Sequence, residues 1–215
     1  MTKRILAEKM RVSARTVTGW EAGEYPPDPA KQQQLAEVLN FPPSFFELDD
    51  SAKVRIDAVS FRSLSTKTAG QRDAVKAMCD LAKDVSDWMQ TKGGLPPAAI
   101  PDVRGEHPAE IARMLRREWG LGLHPVKNML NLLEAKGVRV FALPENCREI
   151  DACSFWCDKT PFVLLNTEVS NERMRFDMAH ELLHLVAHRH SSPFGKAAED
   201  EANCFAREFL MPAES

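Results

Sequence analysis

Apolar side chains recur at three- to four-residue spacing through most of the 215-residue chain and alternate or cluster in a few short runs. Near the start, Ile5, Leu6, Met10, Val12, Val17 and Trp20 are helically spaced, with Ser13 placed to cap one short helix and Gly23 to stop it. A further helix is expected from Asp28-Pro29, where proline suits a first turn, through Leu35, Val38 and Leu39. Phe41-Pro42-Pro43 breaks it. Residues 49–67 lack a clear period and read as a connector. Over 68–92, Val75, Met78, Leu81, Ala82, Val85, Trp88 and Met89 predict a long amphipathic helix, ended by Gly93-Gly94 and followed by a stiff proline-rich stretch at 95–101.

Two more helices are expected at 108–119 and 125–136, the second closed by Gly137. The period then changes. Residues 138–141 alternate, 152–156 form a short mixed run, and 161–165 form a compact apolar run that reads as a buried strand. Ser170-Asn171 should cap a helix reaching about 190, and a last helix spans 197–210 before Met211-Pro212. The fold class expected is α+β: an all-α segment at 1–48, a connector and helix at 49–106, and a mixed domain at 107–215.

Composition narrows the setting. At 44% hydrophobic and 27% charged, the chain can bury a real core. No apolar run approaches the roughly 18 residues of a membrane span, and the N-terminus leads into no secretory segment. The net charge of −3 does not mark the whole chain as a nucleic-acid binder. Five cysteines, an odd number in a chain of this length, read as reduced thiols. A cytoplasmic protein without a membrane partner is expected.

The chemistry concentrates in His180-Glu181-Leu182-Leu183-His184. On a helix, positions i and i+4 share a face, so both imidazoles reach one ion, and neutral imidazole nitrogens are good ligands for Zn²⁺. Glu181 lies about 100° round the helix, where it can act as a base on water activated by the zinc. A catalytic site needs a third protein ligand. Glu199 shares a face with Ala202, Asn203 and Ala206, small residues that let this helix approach the metal helix closely, whereas Glu201 is a competing ligand on another face. Asn203 is placed to hydrogen-bond a ligand imidazole. His188 and His190 are expected to serve helix-end carbonyls, and Cys153 and Cys157 are spaced wrongly for a zinc knuckle.

Phe176 to His184, then Glu199-x-x-Ala202-Asn203-x-Phe205-Ala206 and Leu210-Met211-Pro212, resemble the ImmA/IrrE family of zinc metallopeptidases. The 161–166 run and the 119–121 and 137–138 positions are also similar, so the resemblance covers roughly 107–212. It implies a small zincin-like metallopeptidase domain with one Zn²⁺ held by His180, His184 and Glu199, and with Glu181 as general acid/base. Family members cleave, or regulate by binding, a helix-turn-helix repressor, so a repressor-like substrate is implied. Leu183 stands where the family usually has Gly and is expected to crowd the neighbouring strand. The only tyrosine is Tyr25, so an oxyanion must be stabilised by zinc, a backbone N–H, an arginine or a histidine.

Residues 6–23 resemble the helix-turn-helix of phage-repressor-like XRE proteins, with the helix after Ser13 expected in the major groove of DNA. Arg15, Thr16 and Thr18 are then the DNA-binding residues. Between Lys3 and Arg15 there are five basic residues against one acidic, although six of each sign cancel over 1–48. The chain begins where the family's second helix would begin. Leu6, Val17 and Trp20 are therefore expected to be partly exposed unless another part of the chain or a second copy, in a homodimer, covers them. Two functions compete: a zinc endopeptidase that cuts a regulatory protein, and a DNA-binding regulator whose zincin-like domain binds a partner or senses a signal with little cleavage.

Overall fold

The computed structural model describes residues 1–47, 68–143, 147, 150–189 and 195–213; the whole connector expected at 49–67, and His190, lie outside them. The architecture is α+β, and the chain divides into two compact units, Met1–Ser51 and Ala52–Ser215. No helix among the described residues is long and apolar enough to cross a membrane.

The first unit holds α1 (Lys3–Met10), α2 (Ala14–Glu21), α3 (Pro29–Leu39) and a 3₁₀ turn (Pro43–Glu47). Each helix starts on a side-chain cap: Thr2, Ser13 and Asp28 accept from the N–H groups of Ile5, Thr16 and Lys31. Lys31 Nζ donates to Met10 O at 2.8 Å, so α3 satisfies a carbonyl that the end of α1 leaves open. Where the three helices gather, Val17 is buried with Ala7, Met10 and Ala36, whereas Leu6 and Trp20 are half-buried. Val17 is thus covered by another part of the chain, the alternative the sequence left open, while Leu6 and Trp20 keep part of the expected exposure. Gly19 has a steric reason, because a Cβ there would stand 2.7 Å from the Tyr25 ring.

The second unit is built on a three-stranded sheet in the order β1–β3–β2, from β1 (Arg139–Ala142), β2 (Ala152–Cys157) and β3 (Thr160–Leu165). β1 pairs parallel with β3, and β2 pairs antiparallel with it. The sheet is covered on both faces. Ala152, Trp156, Val163 and Leu165 join one cluster, and Cys153, Phe155, Phe162 and Leu164 join another. This explains why β2 reads as mixed in sequence: a strand buried on both sides has no reason to alternate polar and apolar.

The second cluster is closed by α4 (Ala69–Gly93), which buries Val75, Cys79, Ala82 and Ser86. The stripe expected on this helix is displaced, since Val85, Trp88 and Met89 are exposed. The first cluster is closed by α5 (Pro108–Glu118), α6 (Met129–Ala135), α7 (Asn171–Ala187) and α8 (Lys196–Leu210). α6 begins four residues later than expected because the Asn128 side chain accepts from Asn131 N at 3.0 Å and sets the helix start there. Gly137 is required by the close approach of another segment. Its φ is +81°, and a Cβ would run into the Pro97 carbonyl.

α7 is buried nearly all round from Asp177 to Val186, as a helix wedged between a sheet and other helices must be. α8 packs on α7 and α5 and buries Ala198, Ala202, Phe205, Ala206 and Phe209. The crowding expected at Leu183 is absorbed by this core, where the side chain is fully buried. Arg116 secures the far end of α8. Its buried guanidinium donates to Phe209 O (2.5 Å), His124 O (2.6 Å) and Gly122 O (2.9 Å).

Candidate metal centre

α7 stacks His180 and His184 one turn apart, with their Nε2 atoms 3.2 Å from each other. α8 brings in Glu199, whose Oε2 lies 3.5 Å from His180 Nε2 and whose Oε1 lies 4.0 Å from His184 Nε2. Among the described residues these three form the one histidine, cysteine or acidic group whose donor atoms converge closely enough for a metal ion. Bonds of 2.0–2.1 Å at tetrahedral angles put ligand atoms about 3.3 Å apart. The observed separations bracket that value. Glu201, the competing ligand expected from the sequence, points elsewhere and lies against His188.

The chemistry of the donors can also be tested. Asn203 Oδ1 lies 3.2 Å from His180 Nδ1, and an amide oxygen accepts, so Nδ1 carries the hydrogen and Nε2 offers a lone pair. Burial, then the neighbouring His180 and His188, hold His184 well below the ordinary histidine pKa, which keeps it in the neutral form that ligates metals. Burial also pulls His180 downward, but Glu199, Glu181 and Asn203 outweigh it and its pKa rises. His180 beside the Glu199 carboxylate thus favours a positive charge at this point, which is the demand a divalent cation meets. The residues fit a metal.

Glu181 sits beside this group and does not join it. Its side chain faces β2, where Ser154 Oγ–H donates to Oε2 at 2.5 Å. Burial pushes its carboxyl up to about 7, against the opposing pull of His180 and the Ser154 hydrogen bond. A carboxyl in this range both takes and releases a proton near neutral pH. The group opens on a cleft of about 220 Å³ lined by Asp151, Arg173, Phe176, Asp177, His180, Glu181, Glu199 and Asn203. Arg173 bridges Asp151 (2.9 Å) and Asp177 (3.0 Å), so the cleft contains one of the arginines that could face an oxyanion.

Sequence reasoning missed two of these features. Ser154 lies 27 residues from Glu181 on a strand whose position beside α7 no local pattern reveals. His188 is corrected: its ring does not serve helix-end carbonyls but lies 2.8 Å from His184 Nδ1 and 3.1 Å from Glu201 Oε2. Its i+4 spacing from His184 is the signal that could have found it. Cys153 is buried, and its thiol is pushed far up by that burial.

In the first unit, Arg15 is exposed near the start of α2. Thr16 is half-buried, with its hydroxyl 2.8 Å from Ser13 Oγ, and the exposed Thr18 donates its hydroxyl to Ala14 O at 3.0 Å.

Two family models match the chain. One, described as the IrrE N-terminal-like domain and belonging to a peptidase family, covers residues 133–215, the stretch that carries the sheet, α7 and α8. The other, described as Helix-turn-helix, covers residues 1–46. No curated protein and no solved structure matches the chain. The chain is thus similar to a helix-turn-helix domain over 1–46 and to an IrrE-like peptidase domain over 133–215, and these matches support both resemblances seen in the sequence.

Proposed function

We propose that this chain, joining a helix-turn-helix domain to an IrrE-like peptidase domain, is a cytoplasmic zinc endopeptidase that cuts a regulatory protein of the helix-turn-helix repressor class. In this reading residues 107–215 form a zincin-like domain, His180, His184 and Glu199 hold one Zn²⁺, and Glu181 is the general acid/base. The observation that carries it is the convergence of three donors at near-tetrahedral spacing, with a buried carboxyl of raised pKa in the same cleft. Zinc there supplies a Lewis acid that polarises a carbonyl and makes water acidic near neutral pH.

The chain's own groups do the rest. Ser154 holds Glu181 Oε2, which leaves Oε1 to take a proton from the attacking water and pass it to the departing amine. Asn203 keeps the His180 ring turned with Nε2 inward. The bridged Arg173 gives the cleft wall a fixed positive charge beside two carboxylates. Co-expression with a repressor-like protein, reading fragment masses, tests the proposal. Glu181→Gln should stop cleavage while zinc stays bound, because it removes the base and keeps the ligands. Cleavage by that variant at the parental rate would overturn the assignment.

The helix-turn-helix match favours a second activity alongside the first. Residues 1–48 contact DNA through α2, with Arg15, Thr16 and Thr18 on the reading helix.

A further inference from the structure

Neither a three-ligand centre nor its base needs a third histidine or a second glutamate, yet both line up behind His184. His188 follows it by one turn at the end of α7, with its Nδ1 2.8 Å from His184 Nδ1. The other ring nitrogen of His188 lies 3.1 Å from Glu201 Oε2 on α8. The three groups form a row running outward: the His184 side chain is 6% exposed, His188 9% and Glu201 50%.

The hydrogen bonds in this row have a direction. A carboxylate only accepts, so the hydrogen between Glu201 and His188 sits on His188 Nε2. A neutral imidazole has one N–H and one lone pair, so His188 Nδ1 is then the acceptor. The 2.8 Å contact closes only if His184 Nδ1 carries a hydrogen and donates it. His184 Nε2 is consequently bare, and it is the atom that faces His180 Nε2 and Glu199. Asn203 fixes the His180 ring in the same sense from the other side.

We propose that Glu201, acting through His188, is a positioning residue that sets the tautomer and ring orientation of His184, so that its Nε2 lone pair points into the three-donor centre. The proposal rests on the metal-centre reading and adds to it a control element outside the cleft. His188 and Glu201, with Leu183, Ala187 and Glu106, line a separate cavity of about 380 Å³ that shares no lining residue with the cleft. A change at Glu201 therefore alters a ligand without touching any group that meets substrate.

The test is Zn²⁺ affinity of the full chain, by competition with a chromogenic chelator, together with the visible absorption of the Co²⁺-loaded protein. Glu201→Ala should weaken Zn²⁺ binding by about 10-fold or more, in the range seen when a ligand's hydrogen-bond partner is removed. It should also alter the Co²⁺ spectrum. Glu201→Gln retains an oxygen that accepts from His188 Nε2–H, and should restore affinity close to the parental value. In a His188→Phe background, Glu201→Ala should have no further effect, because the row is already cut, whereas a through-space charge effect would persist.

Parental affinity in Glu201→Ala, equal losses for Ala and Gln, or the same Glu201→Ala loss in both backgrounds would each overturn the proposal. Glu201 is half exposed, so its two variants decide the matter even if His188→Phe does not fold. A parental chain that takes up no stoichiometric metal would refute the metal centre itself, and the row with it. That outcome is distinct from a metal-binding parent whose Glu201 variants are unaffected.

Discussion

Glu181→Gln, read as stability rather than activity, measures how strongly the fold opposes a charge at this position. Glu181 is 4% exposed, and its carboxyl is raised from 4.5 to about 7, chiefly by burial. A group whose proton affinity is higher in the folded than in the unfolded state stabilises the fold fully below its unfolded pKa. That contribution is lost as pH climbs through the folded value. The window is therefore about pH 4.5 to 7, and a difference of about 2.5 pH units corresponds to about 3 kcal/mol. Glutamine still accepts from Ser154 Oγ–H and cannot ionise. In chelator-treated protein the variant should therefore gain about 3 kcal/mol on the parent between pH 4.5 and pH 8. Urea unfolding followed by the fluorescence of Trp119 and Trp156 reads the difference. A gap between variant and parent that does not change with pH would refute the claim that burial governs this carboxyl.

Other outcomes follow from the same geometry. His184→Ala removes a donor from the centre, so bound zinc measured by elemental analysis should fall from about one per chain to near none; retained zinc would show the ligands lie elsewhere. Arg116→Leu abolishes three hydrogen bonds from a buried guanidinium and leaves the Phe209 carbonyl unpaired, which should cost about 3–5 kcal/mol in urea unfolding. A loss below about 1 kcal/mol would mean water replaces the guanidinium without penalty. Arg15→Ala should lower the slope of log affinity against log salt for duplex DNA by about 1. An unchanged slope would remove Arg15 from the DNA interface.

What can be read from the chain is local, and what cannot is set by contacts far apart in sequence. Ser13, Asp28 and Ser170 cap helices because a short oxygen-bearing side chain can reach its own helix's N–H groups, an arrangement complete within four residues. The face shared by Glu199, Ala202 and Ala206 is legible for the same reason, since helical period alone brings them together. By contrast, β1 lies parallel to β3 with β2 on the far edge, and no run of residues states that order. The exposed side of α4 is misplaced by the pattern because Val85, Trp88 and Met89 keep helical spacing although the sheet meets Val75, Cys79 and Ala82. Ser154 and Glu201 leave no local trace because each acts across an interface between elements, whereas His188 stands at a local i+4 step from His184.

The two ends of α8 are secured unequally. Arg116 ties down its last turn, whereas its first begins at Gly195 without a side-chain cap. Glu199 stands in that first turn. A cation held by His180, His184 and Glu199 would fasten the loosely begun end of α8 to α7, so that loading the centre and completing the helix become one cooperative event. Chelation would then act first as a fraying of α8 from its front, and protection of the amide hydrogens of 197–203 from exchange would rise and fall with metal occupancy.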